Sequence, residues 1–173
     1  QLEGGGSGGG PASLDMPTDR PRPMRQTFNG ATVEFEVGAD TVAGLKIIGQ
    51  RQDATLFMTV LGAFQVVLSR WTRQDEVCVG TPYAGRVVPG TQALIGYFVN
   101  PLAVLVDVAS GDPSFGDVLG RVRKAVLGAF LHSDVAFHRV VDAVVVGRDS
   151  SRSPVFQAML VMQDGMNTAA AAA

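Results

Sequence analysis

Cysteine, histidine and net charge are all scarce in this chain of 173 residues. Cys78 is the only cysteine, so no internal disulfide can form and no cysteine cluster can hold zinc. A lone thiol suits a reducing compartment, and a cytoplasmic location is the expectation. His132 and His138 are the only histidines. Their spacing is neither i,i+3 nor i,i+4, so one helix face cannot offer both to a metal, and no metal is expected. Acids and bases are interspersed and the net charge is −2. With no clustered basic face, neither nucleic acid nor an anionic membrane surface is an expected partner. The longest apolar stretch, Ala54 to Leu68, is interrupted by Thr59 and Gln65. It falls short of the roughly 20 residues of a membrane span and reads as a buried helix. No basic region followed by an apolar core marks a secretory signal.

What is abundant is apolar surface and glycine. Hydrophobic residues make up 46% of the chain, enough for a sizeable core in one domain. Residues 1–12 are glycine-rich and read as a flexible linker. Residues 13–163 hold the periodic patterns, and 164–173, ending in alanines, read as a tail.

The periodicities predict an α/β layered domain of order βααββααβ. Val33, Phe35 and Val37 alternate with Thr32, Glu34 and Glu36, the pattern of a half-buried strand over Thr32–Val37. Asp40 or Thr41 is the expected cap of a helix carrying Val42, Leu45 and Ile48. A second helix is expected over about Thr55–Trp71, a strand over Glu76–Thr81, a loop over Pro82–Leu94 and a long strand over Tyr97–Val108. Gly111-Asp112-Pro113 marks a turn into a helix with Phe115, Val118, Leu119, Val122, Val126 and Ala129 inward and Arg121, Arg123 and Lys124 towards solvent. A break at His132–Asp134 precedes a helix over Phe137–Val146, with Asp134 as its expected cap and Asp142 solvated. Val155–Met162 reads as a closing apolar strand.

Two apparent catalytic patterns fail on geometry. Gly5-Gly6-Ser7-Gly8-Gly9 fits a nucleophile elbow by letters, but lacks the strand and helix that must flank one. His132-Ser133-Asp134 holds the three triad residue types on adjacent positions, whose side chains cannot converge in relay. Arg148-Asp149-Ser150-Ser151-Arg152-Ser153-Pro154 reads as a turn locked by side-chain hydrogen bonds and ion pairs. The connection Pro82–Leu94 is longer than a hairpin requires. Arg86 sits in it with few local acids, Tyr83 and Tyr97 flank it, and Asn100 precedes Pro101. A ligand-facing role for at least one of Arg86, Tyr97 and Asn100 is the expectation.

Motifs in order along residues 13–163 resemble the condensation domains of nonribosomal peptide synthetases. Val79-Gly80-Thr81-Pro82-Tyr83-Ala84-Gly85-Arg86 is similar to the family's VGTPxAGR, and Ile95-Gly96-Tyr97-Phe98-Val99-Asn100 to its IGxFVN. Arg70 to Asp75 resembles the RYTGQDD turn, His132 to Phe137 the pattern (H/N)QDxPF, and Arg148 to Pro154 the pattern RDxSRxP. Ser133, Ala136, His138 and Pro101 depart from the commoner residues.

The resemblance implies a chloramphenicol acetyltransferase-like subdomain, incomplete here and taken from the C-terminal half of the domain. It implies amide formation between a donor acyl thioester and an acceptor amine, each carried on a 4'-phosphopantetheine arm, with no cofactor bound directly. The implied partners are the N-terminal subdomain of the same domain, donor and acceptor carrier domains and an adenylation domain. The family's catalytic HHxxxDG motif is absent from this chain, so the fragment alone is expected to be inactive and to contribute no catalytic residue. Asn100 is the first candidate for a substrate contact, with Tyr97 and Gly96 beside it, and Arg86 and Thr81 shaping the loop that floors the tunnel. A non-catalytic docking module and a free-standing acyltransferase of the same superfamily are the alternatives.

Overall fold

The computed structural model describes residues 11–145, 147 and 149–163. Four helices, α1 (Ala39–Gln50), α2 (Leu56–Thr72), α3 (Phe115–Leu131) and α4 (Phe137–Val144), accompany three strands, β1 (Glu76–Tyr83), β2 (Asn100–Asp107) and β3 (Ala158–Met159). β1 and β2 pair antiparallel, in register from Glu76 opposite Asp107 to Tyr83 opposite Asn100. β3 joins β1 in parallel, Val79 opposite Ala158, so the order is β2-β1-β3. A parallel return needs a crossover, and α3 with α4 supplies it.

The alternation of the strands divides the core in two. Val77, Val79, Val104 and Val106 face α2 and α3, where Leu61, Leu68, Val118, Leu119, Val122 and Val126 complete the main cluster. Cys78, Ala103 and Leu105 face the other way, against Phe137, Val141 and Phe156. Fully burying a branched side chain is worth roughly 1.5–3 kcal/mol, so the main cluster carries most of the fold. One polar residue stands inside it. Gln65 on α2 is fully buried, and its Nε2 donates to the carbonyls of Val77 and Val104 at 3.0 Å each. The amide thus ties the helix to both long strands.

Caps fix the helix ends. Thr55 accepts from the Met58 amide at 3.2 Å at the start of α2, and Arg73 ends it in the left-handed conformation with φ 57°. Ser114 and Asp117 form a reciprocal capping box on α3.

The ends of the described chain meet. Leu14 is buried in the main cluster. Its amide donates to Gln157 Oε1 at 2.6 Å, Asp15 N donates to Gln74 Oε1 at 2.9 Å, and Gln74 Nε2 donates to the Ser13 carbonyl at 3.1 Å. Arg152 pairs with Asp15 at 2.9 Å and with Asp149 at 3.9 Å. Asp149 in turn accepts from the Ser151 amide and hydroxyl at 2.8 and 2.7 Å. Those hydrogen bonds hold the Asp149 carboxyl below the usual carboxylate range. The expected locked turn is therefore present from Asp149 onward, and its main acid–base pair straps the N-terminal segment down. Arg148 lies outside the described residues, as do the glycine-rich start through Gly10 and the tail from residue 164.

Several expectations are corrected. Thr32–Val37 forms no strand: the segment is irregular and fully exposed, and Val33 and Phe35 are 85% and 83% accessible. Alternation alone supplies no partner, and no described strand lies beside it. The element order is therefore ααββααβ. α1 is capped by Gly38 without a side-chain bond, which leaves Asp40 and Thr41 inside its first turn. The second long strand begins at Asn100 instead of Tyr97, because residues 96–98 turn back onto the preceding loop. Arg121 lies at the surface, partly exposed, and donates to the carbonyls of Asp107 and Ser110 at 2.9 and 3.2 Å. The closing strand shrinks to two residues because Val155, at φ 67°, breaks the extended run. Helix α4 ends at Val144, short of Val146.

Candidate functional site

β1 runs out into residues 84–99, and β2 begins where they end. At the strand level the site is close-packed. A Cβ at Gly80 would overlap the Phe156 ring, so glycine is required where β1 crosses that side chain. Thr81 is buried and sits opposite Leu102, within the ladder instead of on a ligand-facing surface.

Beyond the strand, two residues organise the loop. Gly85 has φ +66°, and a Cβ there would collide with the Phe98 carbonyl oxygen. Only glycine allows that approach and that backbone angle together. Arg86 then gathers the loop's carbonyls. Its guanidinium donates to Thr91 O, to Leu94 O at 2.9 Å and to Gly96 O at 3.4 Å. Its planar group also lies 4.3 Å above the centre of the Phe98 ring. A planar fork with five donors suits this task; a lysine has no equivalent geometry. Arg86 is thus engaged with the backbone of its own loop.

With the carbonyls turned inward, side chains turn outward. Ile95 is fully accessible and Tyr97 is 87% accessible. Gly96 lies between them, its Cβ position 3.0 Å from the Phe98 ring. Tyr83, at the other side of the loop, is half-buried and packs on Phe130 with ring centres 5.6 Å apart. Tyr97 and Gly96 are thus open to a ligand or partner, and Arg86, Thr81 and Tyr83 are engaged within the fold.

Asn100 is engaged too. Its Nδ2 donates to the carbonyls of Ser133 and Val135 at 2.9 and 2.8 Å, and its Oδ1 accepts from the Phe137 amide at 3.0 Å. Both ends of the amide therefore serve the backbone ahead of α4. This corrects the expected cap: Ala136 stands at the N-cap of α4 without a local side-chain bond, Asp134 is exposed, and the capping oxygen arrives from β2. Sequence reasoning missed Phe98, which supplies both the ring beneath Arg86 and the carbonyl against Gly85. The sequence signal for it is its place as the fixed ring of the IGxFVN-like motif, which was read without a role.

The Cys78 thiol, behind β1, is pushed up to about 12 by burial. His132 and His138 are both exposed. Among the described residues no three potential metal ligands cluster together, and no helix is long and apolar enough to cross a membrane.

Comparison with known proteins agrees with this architecture. The sequence model of the family described as "Condensation domain" matches residues 9–171. The chain is 46% identical over 157 residues to a polypeptide of the linear gramicidin synthase of Brevibacillus parabrevis, covering 91% of this chain and 3% of that synthetase. It is 40% identical to phosphinothricin tripeptide synthetase PhsC of Streptomyces viridochromogenes, covering 91% of this chain and 14% of that one. Among solved structures, the four-domain nonribosomal peptide synthetase holo-AB3403, bound to AMP and glycine, superimposes with a TM-score of 0.83 at 30% identity, over 87% of this chain and 11% of that one. The X-domain from teicoplanin biosynthesis superimposes with a TM-score of 0.82 at 27% identity, over 91% and 34%.

Proposed function

This chain belongs to the condensation-domain family, and from that membership we propose that it is the sheet-bearing part of a C-terminal subdomain that helps form an amide bond in nonribosomal peptide biosynthesis. It spans a small fraction of the synthetases it matches, 3% of one and 14% of another. Residues 13–163 are the subdomain portion, preceded by a linker and followed by a tail. The donor acyl thioester and the acceptor amine arrive on phosphopantetheine arms of carrier domains, with an adenylation domain nearby, in the cytoplasm. The base that orients or deprotonates the amine, and the groups that support the tetrahedral intermediate, come from the N-terminal subdomain.

The observation that carries this reading is the loop between β1 and β2. Arg86 and Gly85 hold its backbone closed while Ile95 and Tyr97 stand clear of the protein. That is a rigid support with an apolar, ring-bearing outer surface, suited to line a substrate tunnel. Tyr97 and Gly96 are the direct contacts in this proposal. Arg86, Thr81 and Asn100 act through the loops they hold.

The test compares this chain alone with the same chain joined to the preceding part of its parent synthetase. Both receive donor and acceptor carrier proteins loaded with substrates, and amide product is read by mass spectrometry. Product is expected only from the joined protein. Product from this chain alone, abolished by a substitution within it, would overturn the assignment of the chemistry to the N-terminal subdomain.

A docking module is the second reading, favoured by the likeness to the X-domain, which has been solved in complex with OxyB. A joined protein that binds a partner and yields no amide would select it.

A further inference from the structure

Given the tunnel-lining role proposed for Gly96 and Tyr97, on which this rests, we propose that Phe98 is the positioning residue of the β1–β2 loop. It holds both residues in place through Arg86 and does not itself touch substrate.

Three neighbours from the same loop meet on Phe98. The Arg86 guanidinium lies 4.3 Å above the centre of its ring. Its carbonyl oxygen occupies the space where a Gly85 Cβ would stand, and its Cε2 is 3.0 Å from the Cβ position of Gly96. These contacts tie the two ends of the loop to each other. Gly85 and Arg86 leave β1, which ends at Tyr83, and Gly96 and Phe98 lead into β2, which begins at Asn100.

The two glycines are required for different reasons. Gly85 has a positive φ and meets backbone. Gly96 is not among the residues with positive φ, so its backbone angle admits alanine. What opposes a side chain there is the Phe98 ring. The ring has little room to yield, because the guanidinium on its face is itself held by the carbonyls of Thr91, Leu94 and Gly96. Glycine at 96 is thus a consequence of where the Phe98 ring sits.

Phe98 is half-buried between exposed Tyr97 and Val99. The ring drawn into the loop therefore fixes the backbone from which Tyr97 projects. Leucine at 98 would keep apolar bulk but has no atom at the Cε2 position and no π face for the guanidinium. Slack at that point reaches the substrate contacts directly, and a misplacement of about 1 Å can cost roughly 100-fold in rate.

The test uses the joined protein with loaded donor and acceptor carriers. It measures kcat and the KM for the acceptor carrier, together with amide exchange at residues 91–98 and the melting temperature. Phe98→Leu should lower kcat roughly tenfold and leave KM within about twofold, because a misplaced contact slows the chemical step without weakening carrier binding. Exchange at residues 91–98 should accelerate with a melting temperature close to wild type. Gly96→Ala should accelerate the same exchange in the wild-type background and add nothing to Phe98→Leu. Gly85→Ala, which meets the Phe98 carbonyl, should remain harmful in both backgrounds. Tyr97→Ala reports on the tunnel reading alone. A lower kcat in Tyr97→Ala, with wild-type kcat and exchange in Phe98→Leu, would overturn the proposal. So would effects of Gly96→Ala and Phe98→Leu that simply add, or a loss of kcat that only tracks a loss of folded protein. Accelerated exchange in Phe98→Leu, with kcat untouched by either Phe98→Leu or Tyr97→Ala, would instead overturn the tunnel reading, leaving Phe98 to hold a loop that the reaction does not use.

Discussion

Asn100 and Phe137 are 37 residues apart in sequence, and the side-chain oxygen of the first holds the backbone amide of the second at 3.0 Å. A residue at the start of β2 thereby sets where α4 begins. Asn100→Ala should cost about 1–3 kcal/mol of stability, since it leaves two carbonyls and one amide without their partner. Asn100→Asp should cost more, because a carboxylate can accept from Phe137 but meets the Ser133 and Val135 carbonyls with no donor. Urea denaturation of both variants checks the order. Alanine matching wild type would return Asn100 to a direct substrate contact.

Gly85→Ala should destabilise the protein by about 2–4 kcal/mol, from the left-handed backbone and the clash with the Phe98 carbonyl together. Gly90→Ala is the control. Gly90 also has a positive φ, +88°, but nothing lies within 4 Å of its Cβ position. It should lose only about 1–2 kcal/mol. Equal losses at the two sites would show that contact with Phe98 contributes nothing.

Arg86→Lys should loosen the loop without unfolding the sheet. The carbonyls of Thr91, Leu94 and Gly96 lose their shared donor, while the core clusters are untouched. Amide exchange across residues 91–98 should accelerate with a melting temperature close to wild type. Unchanged exchange there would mean that the loop holds itself.

The Cys78 thiol should resist alkylation at pH 8, since burial pushes it up to about 12 and only the thiolate reacts. Adding urea should make labelling follow the unfolding curve. Rapid labelling of the native protein would show the β1–α4 cluster to be open.

Asp107 supplies a pH dependence. Burial raises its pKa, but hydrogen bonds from Ser110 and Ala109 and the charge of Arg121 outweigh it, and the net shift is downward. A carboxyl whose folded value is depressed contributes stability above its unfolded value of about 3.9, lost as pH falls through the folded value. Asp107→Asn should therefore be less stable than wild type at pH 7, by no more than about 1 kcal/mol because the pair is partly exposed. The difference should vanish at low pH. A constant difference from pH 7 to pH 2 would exclude the charge as its source.

How much of this was legible in the sequence depended on range. α2 and α3 follow from periodicity and caps within a few residues of one another, such as Thr55 with Met58 and Ser114 with Asp117. Thr32–Val37 shows the limit: alternation says which face a strand would bury, and leaves open whether a neighbour exists to pair with. The site shows the same division. Glycine and arginine in the loop mark a constrained turn, yet the partners that constrain it, Phe98 and the Thr91, Leu94 and Gly96 carbonyls, are backbone or aromatic groups with no distinctive spacing. Asn100 was visible as a candidate, but its three bonds run to residues 133–137, beyond any local pattern.

The strap of residues 13–16 has a consequence for how the molecule is made. The Gln157 side chain that receives the Leu14 amide lies 143 residues further along the chain, and Arg152, which pairs with Asp15, is nearly as distant. Closing so long a loop carries an entropy cost that only the finished sheet and helices can offset. The bond from the Leu14 amide therefore forms only after Gln157 has been placed by β3 and the turn before it, which makes the strap a report on whether the two ends of this fold have met.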